Sequence, residues 1–88
     1  MTLDRVFRLK TVAAENLLID TRGGIVRLNT VYRLSPAAAW LWDKAQGMDF
    51  SKDDLVTWLC EEFDISQSQA QLDVQELVDD WINNGIAS

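Results

Sequence analysis

Fourteen carboxylates, one thiol and no histidine are the groups in this 88-residue chain that acid–base or nucleophilic chemistry would have to use. Without histidine the chain lacks the side chain that titrates nearest neutrality and the commonest metal ligand. The single Cys60 cannot form an internal disulfide. It falls in an apolar helical stripe with no histidine to activate it, which predicts a buried, reduced thiol rather than a nucleophile. The sequence holds no CxxC pair, no glycine-rich phosphate loop and no GxSxG elbow. Most carboxylates fall where solvated helix faces are expected, so no pair stands out for general acid–base work. A catalyst is not expected, and neither a cofactor nor a metal site is.

The informative chemistry is the division of charge. Residues 1–35 carry six Lys/Arg against three Asp/Glu, a net +3. Residues 36–88 carry two bases (Lys44 and Lys52) against eleven acids, a net −9. The stretch from Gln67 to Asn84 holds Asp73, Glu76, Asp79 and Asp80 and no Lys or Arg. A helix that reads DNA needs the opposite sign, because Lys and Arg neutralising phosphates supply most of the affinity. A nucleic-acid partner is therefore disfavoured, and a peptide or protein partner is the better reading.

The elements that would position these groups fall into two halves. Val6 to Val12 alternates Phe7 and Leu9 with Arg8 and Lys10, the period of a half-buried strand. Ala13-Ala14-Glu15 breaks that pattern, and Asn16 to Asp20 reads as a second strand. Thr21-Arg22-Gly23-Gly24 reads as a turn. A third extended stretch runs from about Ile25 to Leu34, with Asn29-Thr30 as a point of interruption that would make Ile25 to Leu28 arm or loop rather than ladder. Within it Tyr32 and Leu34 point one way and Val31 and Arg33 the other.

Beyond Leu34 the period becomes helical. Ser35-Pro36 starts a first helix, with Ser as cap and Pro where a missing N–H costs nothing; Gly47 ends it after Ala45. Trp40 and Trp42 face nearly opposite sides, so one enters the core and the other is covered by a neighbouring element or a partner. Ser51 and Asp54 form a capping box for a second helix with an apolar stripe of Leu55, Val56, Leu59, Cys60 and Phe63, and with Trp58 beside it. Ser66 and Gln69 form a second box. They open a third helix striped by Ala70, Val74, Leu77, Val78, Trp81 and Ile82. Asn84-Gly85-Ile86 reads as a Schellman stop. Leu72 lies opposite the stripe, either as a stray exposed leucine or as a contact for a partner or second protomer. The order is three strands, then three helices, in one α+β domain over residues 1–88. A chain of this length buries roughly 60–65% of its unfolded surface. No apolar run nears the ~18 residues of a membrane helix and no signal peptide is evident, so a cytoplasmic protein without membrane contact is expected.

Several of these stretches resemble one family. Tyr32-Arg33-Leu34-Ser35-Pro36-Ala37-Ala38-Ala39-Trp40-Leu41-Trp42 is similar to a strand, a Leu-Asn, small residues and a Leu-Trp or Ile-Trp pair. Phe63-Asp64-Ile65-Ser66 fits a link between helices. Ala70, Asp73-Val74, Leu77 and Gly85-Ile86 fit a last helix, and Arg8-Leu9 with Leu17-Leu18-Ile19-Asp20 fits a first hairpin. Together they resemble the PqqD family of small winged-helix proteins, recognition elements for ribosomally made peptides that are later modified. Ser35 stands where the family usually has Asn. A second alignment places the Leu-Asn at Leu28-Asn29 and then needs an insertion. The ungapped one is preferred, because Ser35 caps the helix that must start there.

The resemblance implies a winged helix-turn-helix-like fold with a three-stranded antiparallel sheet followed by three helices. It also implies a non-catalytic peptide chaperone. Such a protein holds the leader segment of a precursor peptide and presents it to a modifying enzyme, in the founding case a radical SAM protein. The leader adds as a strand to the third strand and packs beside the third helix. Ungapped, that edge is Thr30, Val31, Tyr32, Arg33 and Leu34. On the third helix the expected contacts are Gln71, Gln75 and Asp79, over an apolar floor of Val78 and Ile82. The opposite flank carries Asp73 and Asp80, and sequence leaves open which flank faces the groove. Arg27 and Arg33 would attract acidic leader positions; Asp73, Glu76, Asp79 and Asp80 would attract basic ones. The chain is expected as a monomer or weak homodimer. A docking or dimerisation module without a leader is the alternative. It would use Trp40 or Trp42, Trp58 and Leu72 as an exposed patch. A DNA-binding regulator is a more distant one.

Overall fold

The computed structural model describes residues 1–21 and 31–88. Strand β1 (Phe7–Val12), strand β2 (Glu15–Asp20) and strand β3 (Val31–Leu34) are followed by helix α1 (Pro36–Lys44), helix α2 (Lys52–Glu62) and helix α3 (Gln67–Asn83). The expected turn at 21–24 lies largely outside the described residues, as do Arg27, the Ile25–Leu28 stretch, Asn29 and Thr30.

The sheet has the order β1-β2-β3 and is antiparallel throughout. Val12 pairs with Glu15 across a two-residue turn made by Ala13 (φ 51°) and Ala14 (φ 66°). Positive φ at both central positions gives a turn whose twist matches that of the strands, a geometry that Asn-Gly adopts easily and Ala-Ala does not. The strands therefore select the turn against local preference. Phe7 and Leu18 face inward and are fully buried; Arg8 and Lys10 lie on the other face.

Hydrogen-bond parity follows from this register. The Val12–Glu15 pair closes a two-residue hairpin and is hydrogen-bonded. At the far end of the ladder Thr21 N–H donates to the Val6 carbonyl at 2.8 Å, in phase with it. Alternate residues of an antiparallel strand bond to opposite sides. Asn16 and Leu18 thus bond toward β3, onto Leu34 and Tyr32. The N–H and C=O groups of Val31 and Arg33 face away from β2.

Each helix begins where its cap says it should. Ser35 Oγ accepts from Ala38 N–H at 3.1 Å, directly after β3, and Pro36 is the first helical residue. Ser51 and Asp54 form the full reciprocal box, with bonds of 3.1 and 3.0 Å. The box at α3 is only half formed. Ser66 Oγ accepts from Gln69 N–H, but the Gln69 side chain turns forward to Asp73 Oδ1 at 2.8 Å. At the C-terminus of α3, Ile86 N–H reaches the Trp81 carbonyl (2.8 Å) and Gly85 N–H the Ile82 carbonyl (3.2 Å), with Gly85 at φ 72°. That is the complete Schellman pattern, and Ile86 folds back into the core as expected.

The core joins Phe7, Leu18 and Leu34 of the sheet to Ala38, Leu41 and Trp42 of α1, Leu55 and Leu59 of α2, and Ala70, Val74, Val78 and Trp81 of α3. Phe50 meets Trp81 edge-on at 6.4 Å. Trp42 is the tryptophan that enters the core. Trp40 is covered instead by Phe63 (5.7 Å, edge-to-face) and by the Lys44 ammonium, which lies 5.5 Å from the rings of both Trp40 and Trp58. Two expectations fail here. Cys60 is half-buried rather than buried, and Ile82 is 50% exposed rather than part of the inward stripe. Both lie at the margin of their helix's apolar arc, where a neighbour covers only one side. Leu72 is 67% exposed.

Residues 1–4 run antiparallel to 86–88, with Thr2 and Ser88 exchanging hydrogen bonds of 2.9 and 3.0 Å. The Met1 amino group lies 2.7 Å from Asp49 and holds that carboxyl below the ordinary carboxylate range. No helix among the described residues is long and apolar enough to cross a membrane.

Candidate functional site

Beside β3 the chain leaves a groove. β2 covers one edge of β3; among the described residues no strand covers the other. The free edge carries the outward amides and carbonyls of Val31 and Arg33, which have no backbone partner among the described residues and are of the kind that recruit another strand. Facing that edge are Leu77, Asp80 and Trp81 of α3, its C-cap Asn84 and, beyond, Ile86; together they frame a cavity of about 370 Å³. The groove lies between α3 and a short strand, β3 being only Val31–Leu34. Tyr32 and Leu34 turn inward, Leu34 into the core and Tyr32 against Phe7 at 6.0 Å, and these anchor the strand.

At the Ser35 end the groove opens into a second cavity of about 410 Å³. Ser35, Ala38, Leu77 and Asp80 line both cavities. Ala37, Ala38 and Leu41 of α1, Leu59 and Phe63 at the end of α2, and Val74 of α3 make its walls apolar. The small side chains of α1 are what leave the space: two alanines face α3 where larger residues would close it. Ile65 forms the far wall, and Asp73, Glu76 and Asp80 form an acidic rim.

The expected site residues divide. Val31, Tyr32, Arg33 and Leu34 all border the groove; Thr30 lies outside the described residues. Gln71, Gln75 and Asp79 do not border it. Gln75 Oε1 accepts from Lys52 Nζ of α2 at 2.9 Å, and its amide donates to Asp79 Oδ1 at 2.8 Å, on the far side of α3. Val78 is fully buried and offers no surface, and Ile82 projects outward with Gln75 and Asp79. The flank of α3 that borders the two cavities is the other one: Asp73 and Glu76 at the second cavity, Leu77 and Asp80 at both, and the C-cap Asn84 beside β3. Leu77, on the apolar stripe of α3, is half-buried rather than core and stands at the junction of the two cavities. The signal that separates the flanks is the position of α1, which sequence periodicity does not carry.

The electrostatics also redistribute. Arg33 projects to the outer face of the sheet, where its guanidinium lies 3.4 Å from Glu15. Among the described residues the side chains charged toward the cavities are acidic: Asp73, Glu76 and Asp80.

The sequence matches the family model of Coenzyme PQQ synthesis protein D (PqqD) over residues 13–87. The chain belongs to the PqqD family. Its fold is similar to two solved structures. One is described as TbiB1 in complex with the TbiA(beta) leader peptide, with a TM-score of 0.74 at 12% identity, covering 100% of this chain and 95% of that one. The other is a lasso peptide synthetase B1 complexed with the leader peptide, with a TM-score of 0.69 at 22% identity, covering 98% and 94%. No curated protein matches the sequence. At these identities the two structures show that the PqqD-family chain shares their fold, and the strand-then-helix order read from its sequence is that fold.

Proposed function

We propose that this PqqD-family chain binds the leader segment of a ribosomally made precursor peptide and presents it to a modifying enzyme, without itself catalysing the modification. The observation that carries the reading is the free β3 edge beside the groove formed with α3. An extended peptide added there gains main-chain hydrogen bonds from Val31 and Arg33, while pockets beside the edge read alternate side chains. Family membership supports the same role, and so do two folds of this kind whose structures were determined with leader peptides. The distance along α3 from Asp73 to Asn84 is about 16 Å at 1.5 Å per residue. That accommodates about five residues of extended peptide.

The test is binding of the purified chain to precursor peptides encoded beside its gene, with each leader also supplied in scrambled order. Saturable binding of one leader and not of its scrambled form supports the role. Failure of every neighbouring peptide, with binding to a neighbouring enzyme alone, would move the assignment to a docking module.

A further inference from the structure

We propose that the groove selects a leader of fixed order: an apolar anchor side chain flanked by Lys or Arg, followed toward the C-terminus by the segment that pairs with β3. This inference rests on the leader-binding role above and specifies its ligand. Three observations carry it.

The first is continuity. The apolar socket between α1 and α3 and the strand-pairing groove share Ser35, Ala38, Leu77 and Asp80, so one extended chain occupies both. The second is direction. The socket adjoins Ser35, at the C-terminal end of β3, and every strand pair in the sheet is antiparallel, the more stable ladder per residue. A peptide adding antiparallel to β3 therefore passes through the socket before it pairs.

The third is charge. Asp73, Glu76 and Asp80 stand at i, i+3 and i+7 on the rim of the socket, a spacing at which like charges destabilise a helix. Asp73 accepts a neutral amide from Gln69, and no Lys or Arg among the described residues pairs with any of the three carboxylates. Among the described residues the one cation bordering either cavity, Arg33, is directed to Glu15. A Lys or Arg next to the anchor residue would meet this acidic rim while its neighbour fills the socket. Asp79, on the far side of α3, takes no part.

The test is selection of a displayed random peptide library on the full chain, followed by affinity measurement of the selected peptides at low and high salt. Hydrogen exchange identifies those that protect the Val31 and Arg33 amides. The expected pool carries Lys or Arg beside Leu, Ile or Phe, N-terminal to a β-prone stretch. The isosteric variant Asp73→Asn/Glu76→Gln/Asp80→Asn is expected to bind these peptides about tenfold more weakly, from a few partly exposed ion pairs, with a flatter salt dependence. Asp79→Asn is expected to bind as the native chain does. Peptides that protect Val31 and Arg33 but lack a basic bias, or bind the triple variant equally well, overturn the proposed selectivity and leave leader binding intact. Selected peptides that never protect Val31 and Arg33 overturn both.

Discussion

Arg33→Pro separates the main-chain contribution of β3 from that of its side chains. The Arg33 amide faces away from β2, because the hydrogen-bonded pairs of the β2–β3 ladder are Asn16–Leu34 and Leu18–Tyr32. Proline there removes an edge donor and no ladder bond, the situation in which strands tolerate it. A bound peptide loses one N–H···O bond, worth about 0.5–1.5 kcal/mol net, and keeps a carbonyl with no partner, a further cost of about 1–3 kcal/mol. A loss of about 2 kcal/mol raises Kd about 30-fold. Arg33→Ala is the control. It deletes the guanidinium and its exposed contact with Glu15 but keeps the amide, and affinity for a selected leader peptide should stay within about twofold. Tyr32→Pro removes a ladder donor and should unfold the sheet at a temperature where Arg33→Pro is still native. Calorimetric titration gives the affinities and thermal melting the stabilities. Unchanged binding by Arg33→Pro, or equal stability of the two proline variants, would refute the assigned hydrogen-bond parity.

Other predictions follow from particular contacts. Ala14→Gly relieves a positive-φ alanine and should stabilise the chain by about 1 kcal/mol, a rise in Tm of about 4–8 °C by calorimetry. Gly85→Ala should cost about 1 kcal/mol in a denaturant melt, because the strain of φ 72° remains even though, apart from its chain neighbours, no described residue comes within 4 Å of the added carbon. Leu77→Asp should abolish peptide binding while circular dichroism stays native, since Leu77 is only half-buried where the cavities meet. Gln75→Ala and Asp79→Ala should leave binding unchanged, as both lie across α3 from the groove.

The sequence disclosed elements more readily than faces. Ser35-Pro36, Ser51 with Asp54, and Gly85-Ile86 carry their own geometry in a few adjacent residues, and all three capped or stopped a helix as read. The alternation of Tyr32 and Leu34 against Val31 and Arg33 was equally local. The flank of α3 that meets β3 was not. Gln71, Gln75 and Asp79 lie on one side of the buried stripe, Asp73 and Asp80 on the other, and the period of 3.6 treats the two sides alike. Tertiary placement of α1 and β3 breaks that symmetry. Val78 and Leu77 differ for the same reason: adjacent apolar residues, one sealed in the core, the other at the mouth of a cavity. The Ala13-Ala14 turn escaped because nothing in two alanines announces positive φ; strand pairing imposes it.

The most direct test of strand addition at β3 is residue-resolved amide exchange of the isotopically labelled chain, with and without a bound leader peptide. The account predicts new protection at the Val31 and Arg33 amides, with shifts at Leu77, Asp80 and Asn84. It predicts none at Gln71, Gln75 or Asp79. Protection that leaves Val31 and Arg33 exchanging freely, or that centres on the outer face of α3, would contradict it.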